Sequence, residues 1–360
     1  MPKDTHKKIA LVTISLSGGG AERSTAMLSR MLVSQGFKVH IITLNDEVSY
    51  EYAGVLYNMG LEKNKGDNFL KRIARFMNLS KYLKNENFDF IIDNRSRNNV
   101  LKEWIYLHYI YRNHNLIYVN HSSLLSNYFT SNQRLSEKMA HSAVGLIGVS
   151  QHITEAINSN FKVKKAKTIF NPIENVETIE HIDSKHPYFI FVGRIEDKVK
   201  NLSLLIHAFA KAKKENYHLR IYGDGSDKNK MHQLVKTLNM ESRIKFYPFQ
   251  QDITNEIASA RALLLTSHYE GFPRALIESL SVGTPVISVN CVSGPAEIIT
   301  NNHNGLLVEN HNEDKFSNAI ESFIFDEQLY MNCKSNAKNS VSHLSLVKIA
   351  QEWSNYITSL

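Results

Sequence analysis

The chain has 360 residues, which is enough for two compact domains that each bury a hydrophobic core. Hydrophobic residues make up 42% of the chain and charged residues 21%, as in an ordinary soluble globular protein. Its two cysteines, Cys291 and Cys333, lack metal-type spacing and exclude a disulfide framework, so we expect a reducing compartment.

The charge is distributed unevenly along the chain. Residues 1–170 contain 23 Lys and Arg against 13 Asp and Glu, a formal charge of +10, whereas the remainder carries −3. This asymmetry suggests that the first half faces something anionic, such as membrane lipid, a phosphate-bearing molecule or nucleic acid. A basic surface that is merely solvated is the alternative.

The N-terminus predicts neither a secretion signal nor a membrane span. The apolar run 9–16 contains Thr13 and Ser15 and leads into glycines, not into a small-residue cleavage site. No later stretch reaches the roughly 18 uncharged apolar residues that a spanning helix needs. We therefore expect a cytoplasmic protein.

Strand-like runs alternate with helical stretches, which is typical of βαβ units. Several runs are almost continuously apolar, as expected where helices cover both faces of a parallel sheet. The first series is 8–15, 38–44, 88–93, 116–121 and 145–150, and the second is 188–194, 218–223, 243–249, 262–267, 285–290 and 305–308. The pattern predicts an α/β protein of two Rossmann-like, doubly wound domains.

We place the N-terminal domain at residues 1–172 and the C-terminal domain at residues 187–342. The intervening stretch 173–186 is polar, acidic and aperiodic, which is typical of a linker. Residues 343–360 should form a helix whose apolar side packs against a core, and it could cross back to the N-terminal domain. Its apolar residues are Leu346, Ile349, Ala350, Trp353 and Ile357.

Three glycines, Gly18, Gly19 and Gly20, follow the first predicted strand and open a helix. Glycine allows the backbone to approach a ligand closely, although a plain β–α turn is the alternative. A dinucleotide-binding loop fits poorly, because Arg23 stands where the third glycine would be. Glu22 would hold this loop or contact a ligand.

The basic stretch 68–84 predicts a helix with a core face and solvated lysines, or else peripheral contact with anionic lipid. The apolar residues of the stretch 68–84 include Leu70, Ile73, Phe76, Met77 and Leu83.

Two arginines follow the predicted strand that ends at Asp93. Arg95 and Arg97 could meet an anionic ligand there.

The strongest signal is the segment 267–287, where a strand, a tight turn and a helix follow one another. Glu270 and Gly271 form the turn, and Pro273 suits the first position of the helix. Backbone N–H groups here would bind a phosphate or sugar oxygen. Glu278 lies about 7–8 Å further along the helix, a distance comparable to a diphosphate. The two carboxylates could therefore hold the hydroxyls of a sugar and of a ribose on either side of the phosphates.

The pattern E-G-F-P-x-x-L-I-E at 270–278 resembles the E-x7-E element of family 4 of the glycosyltransferases, which are retaining enzymes of GT-B fold. Residues 192–209 resemble the family's V-G-R…K-G/N segment. Arg194 and Lys200 then match the basic pair that grips the donor diphosphate. The usual Arg–Lys gap is one residue shorter, so Lys198 competes with Lys200, but Asn201 makes Lys200 the better match.

Two N-terminal segments agree with this resemblance, which spans about residues 8 to 310. Residues 19–23, G-G-A-E-R, resemble the family's glycine loop. His121, within V-N-H-S-S at 119–123, matches the histidine that approaches the donor sugar, although a lone histidine after a strand is more often structural. The implied fold is GT-B, with the two domains facing across a cleft.

The resemblance also implies roles for individual residues. The implied catalytic residues are Glu270, Arg194, Lys200 and His121. The residues implied to contact the nucleotide-sugar donor are Glu278, Gly271, Phe272, Pro273, Gly18, Gly19 and Gly20, and the nucleotide base would lie near Phe249. The acceptor candidates are Glu22, Arg95 and Arg97. No Asp-x-Asp motif occurs in the chain, and the implied reaction needs no metal and no cofactor beyond the nucleotide-sugar co-substrate.

The implied function is retaining transfer of a hexose or N-acetylhexosamine from a nucleotide-sugar, by default a UDP-sugar, to a glycan or glycolipid acceptor. The basic first half favours bacterial surface polysaccharide, lipopolysaccharide or a lipid-linked oligosaccharide, with peripheral contact to the inner face of the cytoplasmic membrane. A GT-B-like sugar-nucleotide epimerase is an alternative. A non-enzymatic protein that binds anions or nucleic acid is disfavoured, because basic and aromatic residues do not interleave as in RNA-binding proteins.

Overall fold

The computed structural model describes residues 7–63, 69–174, 179, 186–212 and 216–360. The predicted linker, 173–186, lies for the most part outside the described residues. The chain forms two compact units. The N-terminal unit comprises Met1–Pro172 and Leu346–Leu360, and the C-terminal unit comprises Ile173–Ser345.

The N-terminal unit is built on a parallel sheet of seven strands in the order β3-β2-β1-β4-β5-β6-β7. Five of these strands were predicted, and their apolar residues are buried between helices. The short edge strands β3 and β7 were missed, because their half-exposed residues form no apolar run. The strands are β1 (Lys8–Thr13), β2 (Lys38–Thr43), β3 (Val55–Asn58), β4 (Phe90–Asp93), β5 (Leu116–Asn120), β6 (Gly145–Gly148) and β7 (Ala166–Thr168).

Side-chain caps begin several helices of this unit. Ser150 Oγ accepts a hydrogen bond from the N–H of Ile153, and Asn132 Oδ1 accepts one from Leu135, which satisfies amides that lack helical partners. The helices are α1 (Gly20–Ser34), α2 (Phe69–Glu86), α3 (Val100–Ile105), α4 (Gln133–Ser142) and α5 (Gln151–Phe161). A π-helical turn, Tyr106–Ile110, continues α3.

The C-terminal unit has a parallel sheet of six strands in the order β10-β9-β8-β11-β12-β13. All six were predicted from their apolar runs. Phe189 and Phe191 of β8 share one face of the sheet and are completely buried in a hydrophobic core with residues of α7 and α12, while Tyr188 and Ile190 are buried on the other face. The strands are β8 (Tyr188–Val192), β9 (His218–Tyr222), β10 (Ile244–Tyr247), β11 (Leu263–Leu265), β12 (Val286–Val289) and β13 (Gly305–Val308).

Helices connect the strands of this unit and end it. They are α6 (Asp197–Lys200), α7 (Leu202–Lys211), α8 (Lys228–Thr237), α9 (Thr254–Ala258), α10 (Arg274–Ser281), α11 (Pro295–Ile298), α12 (Glu313–Phe325) and α13 (Glu327–Ser340). The final helix, α14 (Leu346–Ser359), belongs to the N-terminal unit. None of the helices in the described part of the chain is long and apolar enough to span a bilayer.

Both sheets have the doubly wound strand order, with the first strand next to the fourth. In each sheet the chain first adds strands on one side of its first strand and then crosses to the other side, so the order reverses between β1 and β4 and between β8 and β11. Ligands of such sheets bind at this point, where the loops diverge at the carboxyl ends of the strands. The predicted α/β architecture of two Rossmann-like domains is confirmed.

The predicted core face of α2 is only partly correct. Leu79 and Leu83 are completely buried, whereas Leu70, Ile73 and Met77 are exposed. The most deeply buried residues of α2 therefore lie on its second half, whereas Leu70, Ile73 and Met77 point away from the core and Phe76 is partly buried.

Candidate functional site

A lysine and a glutamate contact each other beyond the carboxyl ends of the neighbouring strands β8 and β11, where the loops that follow them diverge. Lys200 Nζ lies 2.6 Å from Glu270 Oε1, and both side chains are largely sheltered from solvent. Ser267 Oγ donates a second hydrogen bond to the same oxygen, also at 2.6 Å. Glu270 thus presents its carboxylate at the edge of the sheet where ligands are expected.

The backbone around Lys200 is fixed to the end of β11. Thr266 Oγ1 donates to the carbonyls of Lys200 and Asn201, both at 3.0 Å, and the His268 N–H donates to Val199 O at 2.9 Å. Asn201 has a left-handed φ of 49°, which separates α6 from α7. The sequence left both Lys198 and Lys200 as candidates for the basic residue that acts with Arg194. In the structure Lys200 contacts Glu270, and Lys198 is exposed.

Arg194 follows β8 on the same edge. Its side chain is exposed and lies 3.4 Å from Glu196 Oε1, a weak surface pair that an anionic ligand could replace. The preceding Gly193 lies against the Lys200 side chain, since a Cβ there would be 3.7 Å from Lys200 Cε. The structure therefore brings the two predicted cationic residues to adjoining positions.

Helix α10 carries the second predicted glutamate. Arg274 Nη2 lies 3.1 Å from Glu278 Oε1, and the pair is partly buried. The sequence prediction overlooked Arg274, although its i, i+4 spacing from a glutamate is a recognisable signal. Pro273 is the N-cap of α10 and not its first residue, one position from the prediction.

The Phe272 side chain is buried, with Gly271 and Pro273 buried on either side. A ligand would therefore reach this turn through its backbone N–H groups, and the predicted donor contact at Phe272 stays a prediction of that kind. The loop after β12 supports the turn. Ser293 Oγ donates to Gly271 O at 2.7 Å, and Gly294 packs against the Pro273 ring.

Cys291 lies beneath the site and is not a nucleophile. Burial, followed by the charge of Glu270, raises the pKa of its thiol to about 12. The thiol therefore stays protonated at neutral pH and serves as apolar packing under the Glu270 loop.

Phe249 is exposed beyond β10, which is separated from β8 by β9. Its N–H donates to Asp224 Oδ2 at 3.0 Å. An exposed ring on a loop at this sheet edge is available for stacking, but it belongs to a different loop from Glu270 and Glu278. Its predicted role at the base stays a prediction.

The glycine loop of the N-terminal unit precedes α1. Gly18 has a left-handed φ of 78°, and α1 begins at Gly20. A Cβ on Gly19 would overlap the Glu22 carboxylate, which folds back over the loop. Of the two roles open to Glu22, holding the loop is the one that its position supports.

His121 follows β5 and is half-buried. Its Nε2 lies 3.0 Å from Asn94 Oδ1, and Asn94 follows β4. The sequence prediction did not include Asn94, although it stands at the carboxyl end of the adjacent strand. The two side chains form a polar pair at the ligand-binding edge of this sheet.

The prediction that Arg95 and Arg97 contact an anionic acceptor is wrong. Arg95 is buried and forms ion pairs with Asp93 at 2.7 Å and Glu103 at 3.2 Å. Arg97 has no exposed surface and donates to the carbonyls of Asp93 and Val119. Because internal acceptors satisfy both guanidinium groups, these arginines stabilise the interior instead of meeting a ligand.

Comparison with known proteins identifies the family. The model described as Glycosyltransferase Family 4 matches residues 18–175, and the model described as Glycosyl transferases group 1 matches residues 173–340. The N-acetylgalactosamine-N,N'-diacetylbacillosaminyl-diphospho-undecaprenol 4-alpha-N-acetylgalactosaminyltransferase of Campylobacter jejuni is 30% identical over 371 aligned positions, which cover 98% of this chain and 99% of that protein. The chain belongs to family 4 of the glycosyltransferases.

Two further likenesses agree with this glycosyltransferase assignment. The lipopolysaccharide 1,6-galactosyltransferase of Escherichia coli is 35% identical over 187 residues, which cover 50% of this chain and 51% of that protein. The crystal structure of Anabaena Alr3699/HepE in complex with UDP and glucose superimposes with a TM-score of 0.80 at 20% identity, covering 99% of this chain and all of that chain. The glycosyltransferase is thus a hexosyltransferase-type enzyme of GT-B fold, with relatives in bacterial polysaccharide synthesis.

Proposed function

We propose that the protein is a retaining glycosyltransferase that moves a hexose or N-acetylhexosamine from a UDP-sugar to a glycan acceptor. The observation that carries the proposal is the Lys200–Glu270 pair at the carboxyl edge of the C-terminal sheet, with Glu278 eight residues further on. The acceptor belongs to bacterial surface polysaccharide, lipopolysaccharide or a lipid-linked oligosaccharide. The names of the C. jejuni and E. coli relatives, and the UDP bound by the Anabaena protein, support this choice of substrates.

In the proposed reaction, Glu270 accepts hydrogen bonds from sugar hydroxyls and Glu278 accepts them from the ribose. Arg194 and Lys200 offset the charge that develops on the diphosphate as its bond to the anomeric carbon breaks. The acceptor hydroxyl forms the new bond on the face that the nucleotide leaves, and a diphosphate oxygen takes its proton. UDP departs, and the anomeric configuration is kept without a metal ion. His121 is the candidate contribution of the N-terminal unit.

The first experiment identifies the donor. Ligands that bind the native state raise its melting temperature by mass action, so UDP-sugars, other nucleotide-sugars and free nucleotides are compared by thermal shift. The donor so found is then incubated with lipid-linked and lipopolysaccharide acceptors, and the anomeric configuration of the product is determined by NMR. Conversion of the donor into an epimeric sugar or nucleotide-sugar without an acceptor would identify an epimerase instead.

The second experiment tests the residues. Lys200→Met should lower kcat by about 100-fold or more, since one preorganised donor to a developing charge is worth roughly 3 kcal/mol. Lys198→Met is the matched control and should retain activity, because that side chain is exposed and does not contact Glu270. Equal activity of the two variants would contradict the proposed role of Lys200.

Lipid-linked and lipopolysaccharide acceptors are assembled at a membrane surface. The proposed location is accordingly the cytoplasm, with peripheral contact at the inner face of the cytoplasmic membrane. This location follows from the proposed acceptor.

A further inference from the structure

Helix α2 carries an apolar stripe on the side that faces away from the core. Leu70 and Met77 are 71% and 66% exposed, and Ile73 is also exposed. At about 100° per residue, the centre of this stripe lies roughly 130° around the helix from the centre of the buried pair, Leu79 and Leu83. The stripe is therefore apolar surface that the described residues of this unit leave uncovered.

A second exposed patch lies on the adjoining elements, α3 and the π-helical turn. Leu101 is 67% exposed, and the exposed rings of Trp104 and Tyr109 lie 5.5 Å apart. A groove of about 510 Å³ runs between Leu101 and Trp104 on one side and α4 on the other. The turn packs beside α2, where the rings of Phe76 and Tyr106 are 5.8 Å apart. The apolar face is defined as Leu70, Ile73, Met77, Leu101, Trp104 and Tyr109.

Positive charges lie beside both parts of the apolar face. Exposed lysines follow the stripe along α2, and Arg134 and Lys138 line the groove beside Trp104. The acidic groups nearby are mostly neutralised, since Glu86 of α2 pairs with Lys8 and Glu103 of α3 pairs with the buried Arg95. The exposed carboxylate on α4 is Glu137. The lysines of α2 are Lys71, Lys81 and Lys84.

We propose that the apolar face binds the surface of an anionic phospholipid bilayer. Leucine, methionine, tryptophan and tyrosine side chains would enter the boundary between headgroups and acyl chains, and the lysines would contact the anionic headgroups. Exposed tryptophan and tyrosine with lysine and arginine beside them match the chemistry of an anionic membrane interface, where aromatic rings sit at the headgroup level and basic side chains contact the headgroups. This inference deepens the proposed function by giving the enzyme a surface for meeting a lipid-linked acceptor.

The test is co-sedimentation of the full chain with vesicles. Wild-type protein should bind to vesicles made of equal parts of phosphatidylglycerol and phosphatidylethanolamine. It should bind much less to vesicles of phosphatidylcholine alone. Added salt should weaken the binding, because the headgroup attraction is screened. Absence of binding to the anionic vesicles would overturn the proposal.

Two double variants locate the contact. Leu70→Gln with Met77→Gln, and separately Leu101→Gln with Tyr109→Gln, should each lower the vesicle partition coefficient about tenfold or more, because two apolar side chains no longer enter the interface. Because the four side chains are exposed, these substitutions should leave the fold intact. Circular dichroism and the melting temperature of each variant check this. The matched control is Met331→Gln with Val347→Gln, two exposed apolar residues of α13 and α14, which should bind as wild type.

Two outcomes contradict the assignment of the face. One is wild-type vesicle binding by both double variants. The other is a change in oligomeric mass, measured by analytical ultracentrifugation, with unchanged vesicle binding, which would show that a second copy of the chain covers the face. Transfer to a water-soluble acceptor should be unaffected in every variant. If the wild type transfers no sugar at all, the proposed function fails while the vesicle result stands.

Discussion

At the scale of single residues, one carboxylate oxygen organises the candidate site of the C-terminal unit. Lys200 and Ser267 both donate to Oε1 of Glu270 at 2.6 Å. In the part of the chain that the structure describes, this arrangement leaves Oε2 to accept from a ligand hydroxyl. The two hydrogen-bond donors fix the orientation of the carboxylate in advance, so in the proposed reaction less ordering would remain for the step in which a sugar binds.

Ser267 is accordingly predicted to be a positioning residue. Ser267→Ala should lower kcat roughly five- to tenfold, since a hydrogen bond of about 1 to 1.5 kcal/mol is lost, while the KM for the donor changes less. Ser267→Thr keeps the hydroxyl and should recover part of the rate. Steady-state kinetics measure both effects, with the partly exposed Ser322 of α12, changed to Ala, as control. A Ser267→Ala enzyme with wild-type kcat would refute this role.

The charged cluster of the N-terminal unit is predicted to be a stability element. Asp93→Asn leaves Arg95 buried without its closest anion, so the free energy of unfolding should fall by about 3–5 kcal/mol. Urea denaturation followed by circular dichroism measures this loss. The exposed Glu137→Gln should change stability by less than about 0.5 kcal/mol. A loss below about 1 kcal/mol for Asp93→Asn would mean that the cluster contributes little.

At the scale of elements, the site is formed by loops that end neighbouring strands. The loop after β11 carries Glu270, the segment after β8 carries Lys200, and the loop after β12 supports the turn before α10. Each loop is fixed to the next by side-chain hydrogen bonds, from Thr266 to the Lys200 carbonyl and from Ser293 to the Gly271 carbonyl. The geometry of α10 therefore depends on the loop beside it as well as on its own sequence.

Gly294 is predicted to be needed for the position of α10. It has a φ of 96°, and a Cβ there would overlap Cδ of Pro273, the N-cap of α10. Gly294→Ala should therefore raise the donor KM severalfold or more and lower the melting temperature.

Gly283→Ala is the matched control for this prediction. Gly283 also has a positive φ, 85°, but a Cβ there meets open space. The control should show only the backbone cost, about 1 kcal/mol, with an unchanged donor KM. Equal donor KM values for the two variants would argue against this function of Gly294.

At the scale of the whole molecule, the chain returns to its first unit after completing the second. Helix α14 lies in the N-terminal unit, although α13 ends in the C-terminal unit. The buried side of α14 includes Trp353, Tyr356 and Ile357, and the Tyr356 ring lies against Gly145 of β6. The last residues of the chain thus complete the core that the first residues begin.

Trp353 should accordingly contribute to the stability of the N-terminal unit. Trp353→Ala should lower the free energy of unfolding by about 3–5 kcal/mol, because it leaves a cavity in a buried contact. Val347→Ala on the exposed side of the same helix should change it by less than about 0.5 kcal/mol. Thermal and urea unfolding measure both values. Similar effects of the two changes would indicate that α14 does not pack firmly.

The sequence by itself determined the α/β architecture, eleven of the thirteen strands in the described residues and the segments that carry the site. These features are local, because an apolar run and the spacing of Glu270 and Glu278 can each be read from residues that lie close together in sequence. The short edge strands escaped prediction, because their residues are half-exposed and their pairing depends on distant strands.

The tertiary structure alone decided which side chains face inward and which are neutralised. It buried Arg95 and Arg97 among internal acceptors, exposed Leu70, Ile73 and Met77 on α2, and paired Lys200 with Glu270. None of these outcomes follows from a residue's type or from its local period. Burial and charge pairing depend on contacts between residues far apart in sequence, and only the folded chain brings those residues together.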